Sequence, residues 1–242
     1  MKEIEASNID WLEDRTILLA PVGSYAYGTN TAQSDRDYKG ICIPPVDYYL
    51  GLQSFNEYNT TGGKNFKNTK DDVDIIIMHI NKFVKDAMQG VPNNIELLFV
   101  RPEDYLKVTE SGQVLIDNRH LFLSKYIQKR FSGYAYSQIQ KLKNGADHDG
   151  KYDTKLFMHS IRLLTSAIEI LNTGDFCTYR PNRKLLLDCR NGKYSLKEAL
   201  EMIDIYNDEL KTAGEQSALP ATADYKKINN VLIDINRKAL TL

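Results

Sequence analysis

GSYAYGTNTAQSDRDYKG, residues 23–40, sets a Gly-Ser turn a short distance ahead of two carboxylates, Asp35 and Asp37. Before it runs Arg15-Thr-Ile-Leu-Leu-Ala-Pro-Val22, a β-branched, apolar stretch that reads as a buried strand ending in a turn at Gly23. A strand that enters Gly-Ser and opens a short helix presents backbone N–H groups, and Gly23 lets a phosphate approach where a Cβ would block it. Asp35 to Ile43 reads as the next strand, stopped by Pro44-Pro45. Alternate residues of a strand share a face, so Asp35 and Asp37 point the same way with Cβ atoms ~7 Å apart. Two carboxylates that close repel unless a cation lies between them. Mg²⁺ suits the position, because it takes a few carboxylate oxygens and completes its shell with water and substrate phosphates. The plainer alternative is a solvated acidic strand end.

A third carboxylate comes from Asp72-Val-Asp-Ile-Ile-Ile-Met-His79, which reads as another strand. Asp72 and Asp74 share a face, and Asp74 enters the apolar run, where an uncompensated charge is costly to bury. A metal removes that cost; an acidic strand entry without one is the alternative. Two-metal phosphoryl transfer uses such a set, with a third carboxylate beside the acceptor hydroxyl. Phosphate and metal together suggest a nucleotide. The chain has no GxxxxGK[ST] loop and no GxGxxG after the strand. A dehalogenase-type Asp-x-Asp needs its first Asp at the end of an apolar strand, whereas Asp35 follows Thr31-Ala-Gln-Ser34.

Outward from these strands, Ile80, Phe83, Val84, Ala87 and Met88 recur at helical spacing up to Gly90, and the polar segment Asn59 to Lys70 reads as a mobile loop. Beyond about residue 110 no strand pattern is convincing, and helical patterns run through 119–143, 152–172, 182–190, 195–211 and 222–240. The fold expected is α+β: a small mixed sheet packed with helices over 1–110, followed by an all-helical part over 111–242. Apolar runs fall far short of the ~20 residues of a membrane span. The acidic N-terminal stretch lacks the apolar core of a secretory signal, and Cys42, Cys177 and Cys189 form no CxxC pair, which together point to a reducing cytoplasm.

Charge divides along the chain. Residues 1–118 carry 11 Lys/Arg against 18 Asp/Glu, and residues 119–197 carry 15 against 6. An acidic first part beside a basic middle suggests that something cationic is wanted near the first and something anionic near the second; solvated helix faces are the bland reading. In the basic part Lys155, His159 and Arg162 stand at i, i+4 and i+7 and so share one helix face, which suits a triphosphate or an RNA backbone. Arg180, Arg183, Lys184 and Arg190 add charge, interspersed with Tyr134, Tyr136, Tyr152 and Tyr179. Basic groups with aromatics suit single-stranded nucleic acid, although tyrosines also fill helical cores.

Gly23-Ser24, ten residues, Asp35-Arg-Asp37 and a later Asp on an apolar strand resemble the polymerase-beta-type nucleotidyltransferase superfamily. Gly-Ser-x-x-Tyr-Gly-Thr-x-x-x-x-Ser-Asp-x-Asp-x-x-Gly is similar to its bacterial and phage branch associated with RNA repair and RNA ligases. Val91 to Phe99, Lys155-x-x-x-His159-x-x-Arg162, Arg183 to Gly192 and Ser217 to Pro220 resemble later blocks of that branch. The second block departs from it, with Val91-Pro-Asn-Asn where Asn-Pro is expected. The resemblance implies transfer of a nucleoside monophosphate from an NTP with two Mg²⁺ ions, Mn²⁺ being able to substitute. It puts Gly23 and Ser24 on the triphosphate and Asp35, Asp37 and Asp74 on the metals. It leaves the acceptor open: an RNA 3′ end leads, a protein or small-molecule hydroxyl follows, and a nucleotide-binding regulator without turnover is the non-enzymatic alternative.

Overall fold

The computed structural model describes residues 9–32, 34–60, 73–146 and 150–241. Asp72 and nearly all of the Asn59 to Lys70 segment lie outside them. A five-stranded sheet has the order β3-β4-β2-β1-β5, with β1 at Thr16–Pro21, β2 at Asp37–Cys42, β3 at Glu57–Asn59, β4 at Asp74–His79 and β5 at Lys107–Val108. β2 runs antiparallel to β1 and parallel to β4, so the sheet is mixed. Parallel neighbours need a long crossover. Here it holds the short helix α2 (Asp47–Leu50) and β3, while α1 (Gly23–Tyr27) lies between β1 and β2. The central strands are apolar because they are covered: Leu18, Ile41, Ile75 and Ile77 are almost fully buried.

Two sequence expectations shift here. β2 begins at Asp37, so Asp35 lies on the approach to the strand, among polar residues that form no ladder. β3 and β5, three and two residues long, show too little alternation to be read from sequence, and backbone pairing to β4 and β1 defines them.

α3 (Ile80–Met88) and α4 (Pro92–Leu98) follow β4 directly, and α5 (Glu110–Asp117) packs back onto β1. The helix expected over 119–143 is broken: a 3₁₀ turn at Arg119–Phe122 precedes α6 (Tyr126–Gly145). Leu123 is extended at the end of that turn, and Phe122 and Leu123 are both buried in the core. The remaining helices fall close to expectation: α7 (Thr154–Thr173), α8 (Arg183–Arg190), α9 (Leu196–Gln216) and α10 (Tyr225–Leu240). α7 is the central helix, started by the Asp153 carboxylate, which accepts from the Lys155 and Leu156 N–H groups, and stopped by Gly174. It packs on α6, α8 and α9. Buried side chains from Ile17 on the sheet to Leu240 on α10 form one continuous apolar cluster. No helix among the described residues is long and apolar enough to cross a membrane.

Candidate active site

α1 begins where β1 ends, and Gly23 there has φ +64°, a conformation that L side chains rarely adopt. A Cβ at Gly23 would also lie 3.3 Å from Asp37 Oδ2, so the turn and the carboxylate approach closely only because the residue is glycine. The far end of α1 is fixed by Gly28, φ +70°, on which the Tyr179 ring packs so tightly that an added Cβ would stand 2.4 Å from it. The first N–H groups of α1 have no intrahelical acceptor, and no side chain caps them.

Asp37 and Asp74 are direct partners across the parallel β2–β4 ladder, so their side chains leave the sheet side by side on one face. Asp35 joins them from the approach to β2, and lines a small cavity with Asp37, Gly23 and Ser24. The Asp37 carboxyl is pushed above its usual range by burial first, then by the negative charges of Asp74 and Asp35, with Lys155 opposing them. Three acidic groups thus converge on a half-buried position. The donor chemistry fits a divalent cation, since a cation would relieve this repulsion and these are hard oxygen ligands. Among the described residues no group of three or more His, Cys, Asp or Glu stands close enough to hold a metal by itself. A cation held there would draw its other ligands from water and substrate phosphate, which suits Mg²⁺.

The cavity at the carboxylates has two lobes. The smaller, about 150 Å³, is walled by Ser24 and Asp35 on the sheet side and by Lys155, His159 and Arg190 on the helical side. The larger, about 590 Å³, is bounded by Asp37, Asp74 and Ile76 from the sheet, Pro92 and Asn93 from α4, Tyr134 and Gln138 from α6, and His159 and Leu163 from α7. Gly23, Tyr27, Asp37 and His159 border both lobes.

The three basic residues of α7 sit in three environments. Lys155 is exposed and His159 is half-buried. The His159 imidazole is pulled down to about 4, by burial first and then by Arg162, Lys155 and Arg190, so it is neutral near pH 7. Arg162 is 5% exposed: it donates to Glu96 Oε1, and its guanidinium lies 4.1 Å from the centroid of the Tyr27 ring. The Tyr27 hydroxyl donates to the other Glu96 oxygen at 2.8 Å. α1, α4 and α7 are therefore tied together under the cavity by one buried triad, and the Arg162 charge is compensated from within the chain. Arg180 is likewise internal, 2% exposed and 2.6 Å from Glu169, whereas Arg183 and Lys184 are exposed.

Sequence reading missed the floor of the larger lobe. Lys39, on the same sheet face as Asp37, is 8% exposed and donates to Asn94 Oδ1 at 2.7 Å. Burial pulls its ammonium down to about 8, with Glu96 as the leading opposing charge. A signal was present: Glu96 stands in the apolar run Ile95-Glu-Leu-Leu-Phe99, and Lys39 precedes the buried Gly40-Ile-Cys42. An ionised group in such a place needs a partner.

A 130-residue stretch is 32% identical to an uncharacterized 38.9 kDa protein from the nrdC–mobD intergenic region of Enterobacteria phage T4. The match takes in 52% of this chain and 38% of the phage protein, so it spans well under half of that relative's length. A crystal structure of a nucleotidyltransferase-like protein from Exiguobacterium sibiricum 255-15 aligns over 98% of this chain and 80% of its own, at 11% identity and a TM-score of 0.31, a likeness too slight to bear on the site. The third comparison spans nearly the whole sequence, the profile of the RNA repair pathway DNA polymerase beta family matching residues 1–234, and to that family the chain belongs.

Proposed function

We propose that this chain transfers a nucleoside monophosphate from an NTP to an acceptor hydroxyl, and that the acceptor is the 3′ end of an RNA. The observation that carries the reading is that Asp35, Asp37 and Asp74 stand where a small lobe, walled opposite them by Lys155 and Arg190, meets a larger one. The smaller lobe suits the triphosphate: Gly23 and Ser24 line it on one side, Lys155 and Arg190 on the other. Asp35, Asp37 and Asp74 would hold Mg²⁺, which when bound neutralises charge developing on the transferring phosphoryl group. Asp74, beside the larger lobe, takes the proton of the acceptor hydroxyl. The acceptor oxygen bonds to the α-phosphorus, the bond from that phosphorus to the bridging oxygen breaks, and pyrophosphate leaves. His159, neutral and on both lobes, can donate one hydrogen bond there without adding charge.

RNA as acceptor is supported by the family's description and by exposed basic and aromatic side chains of the helical part. Lys155, Arg183 and Lys184 are exposed, and Tyr134 and Tyr136, 44% and 63% exposed, offer rings for stacking. The test is incubation with each α-labelled NTP, Mg²⁺, and either RNA or protein, followed by RNA binding at several salt concentrations. Label should enter RNA, and affinity should fall with salt at a log–log slope of ~0.7 per phosphate contacted. Lys155→Glu with Arg183→Glu should flatten that slope. Label in protein alone, or equal slopes for wild type and variant, would remove RNA as acceptor.

A further inference from the structure

Hydrogen-bonding capacity at the floor of the larger lobe is unevenly committed. Both Glu96 oxygens are engaged, Oε2 by the Tyr27 hydroxyl at 2.8 Å and Oε1 by Arg162. Asn94 is engaged at both ends, its Oδ1 accepting from Lys39 at 2.7 Å and its Nδ2 donating to the Phe83 carbonyl at 3.2 Å. Each of these acceptor atoms already takes a hydrogen bond, whereas the donor facing Asn94 is only partly used. An ammonium carries three N–H bonds, and among the described residues Lys39 uses one, towards Asn94. The Lys39 side chain is more than nine-tenths buried, at 8% exposure, and lines this lobe. Buried donors left unmade are unfavourable, so a ligand edge made of acceptors is the one this floor suits.

We propose that the larger lobe is a nucleobase subsite selecting bases that present carbonyl oxygen, guanine and uracil, over adenine, with Lys39 as the residue that reads the carbonyl. The proposal rests on the nucleotidyltransferase reading. Guanine offers O6 and N7 side by side, and uracil offers O4; adenine's amino group at the corresponding position can only donate. Against an ammonium that also can only donate, adenine leaves two donors facing each other. Asn93 and Gln138, also on this lobe, carry amides that can turn either end to a ligand, so they do not decide the preference. Tyr134, 44% exposed on the opposite wall, supplies a ring for the base to stack on. A volume of about 590 Å³ is ample for a nucleoside. The base can belong to the NTP or to the last residue of the acceptor, since both present the same edge.

The test uses the full chain with Mg²⁺ and titrates ATP, GTP, UTP and inorganic tripolyphosphate by calorimetry. A second arm follows transfer to oligoribonucleotides differing only in a 3′-terminal A, G or U. If the base belongs to the NTP, GTP and UTP bind roughly 10-fold or more tighter than ATP, the discrimination expected of one well-made base contact. If it belongs to the acceptor, the NTPs bind alike and ends in G or U are used in preference to A. In Lys39→Met the preference narrows while tripolyphosphate affinity is kept, and Lys39→Gln, which can still donate to Asn94, checks the result should the first variant lose its cooperative melting transition. ATP equal to or better than GTP and UTP, together with indifference to the terminal base, overturns the subsite and leaves the transferase reading standing. Absence of binding by tripolyphosphate and by every NTP overturns both.

Discussion

The floor of the cavity and its mouth treat charge in opposite ways. At the floor Glu96 and Arg162 have opposite sign, are 3% and 5% exposed, and share Tyr27 between them. At the mouth Asp35, Asp37 and Asp74 have the same sign, and each of the outer two raises the proton affinity of the one between them. Every partner in the Tyr27–Glu96–Arg162 triad comes from within the chain, so its interactions serve to hold α1, α4 and α7 in place. The mouth carries a repulsion that the folded chain must bear, which is sensible where a ligand relieves it and wasteful elsewhere. We propose that the contrast separates residues that build the site from those that act in it, with Arg162 among the builders although its spacing from Lys155 and His159 suggested a ligand contact.

Breaking the mouth should have the largest effect. Asp37→Asn keeps the shape and removes one of the converging charges. Transfer should fall at least ~10²-fold, the size seen when one preorganised charge-stabilising group is lost. Stability should move the other way. Because the folded state raises the Asp37 pKa, that carboxyl favours the fold only at low pH and opposes it once ionised, so its loss at pH 7 removes a destabilising term. In EDTA the variant should melt no lower than wild type, and added Mg²⁺ should raise the melting temperature of the wild type more than that of the variant. A melting temperature well below wild type in EDTA would place Asp37 among the builders instead.

Breaking the floor should do the reverse. Arg162→Met leaves Glu96 as an uncompensated buried carboxylate, and such changes cost about 3–5 kcal/mol. Adding Glu96→Gln should recover part of that loss, because the stranded charge goes with it. Urea unfolding of the two single variants and the double variant measures the coupling; additive losses would mean that the pair is not the unit described above.

These expectations also mark what was legible in the sequence. The turn at Gly23-Ser24, the strand that carries Asp74 and the later helices follow from local pattern, because each depends on spacing within one element, whereas the face shared by Asp37 and Asp74 comes from the β2–β4 pairing. The convergence of Asp35 came out as expected by a different route, since it lies before β2 and reaches the cavity from the approach. β3 and β5 were illegible because they exist through pairing with distant strands, and a run of two or three residues has no period. The floor was illegible as a unit for the same reason. Tyr27, Glu96 and Arg162 are 66 or more positions apart except through the fold, and only the oddity of a glutamate in an apolar run hinted at it. The i, i+4, i+7 rule correctly placed Lys155, His159 and Arg162 along one side of α7, but that side turns from solvent into the core along the helix, so the last of them meets Glu96.

His159 borders both lobes and lies between the two regimes, and titrating it is the finest way to sharpen the comparison. Its folded pKa, about 4, is below the ordinary 6.5. Between those values the unfolded chain takes up a proton that the folded chain refuses, so stability falls as pH is lowered from about 6.5 towards 4. His159→Gln has no such proton and should lose less stability across that window, with little difference between the two at pH 7. The effect should be smaller than that of breaking the buried pair, and melting curves taken from pH 7 to 4.5 will read it. Tripolyphosphate bound in the smaller lobe brings negative charge to the imidazole and should raise its pKa, so the gap between the two proteins should shrink when the ligand is present. Equal pH profiles without ligand would show that the imidazole is not sheltered from solvent. A gap that tripolyphosphate leaves untouched would show that the anion does not reach His159, and would confine the phosphate to Ser24, Lys155 and Arg190.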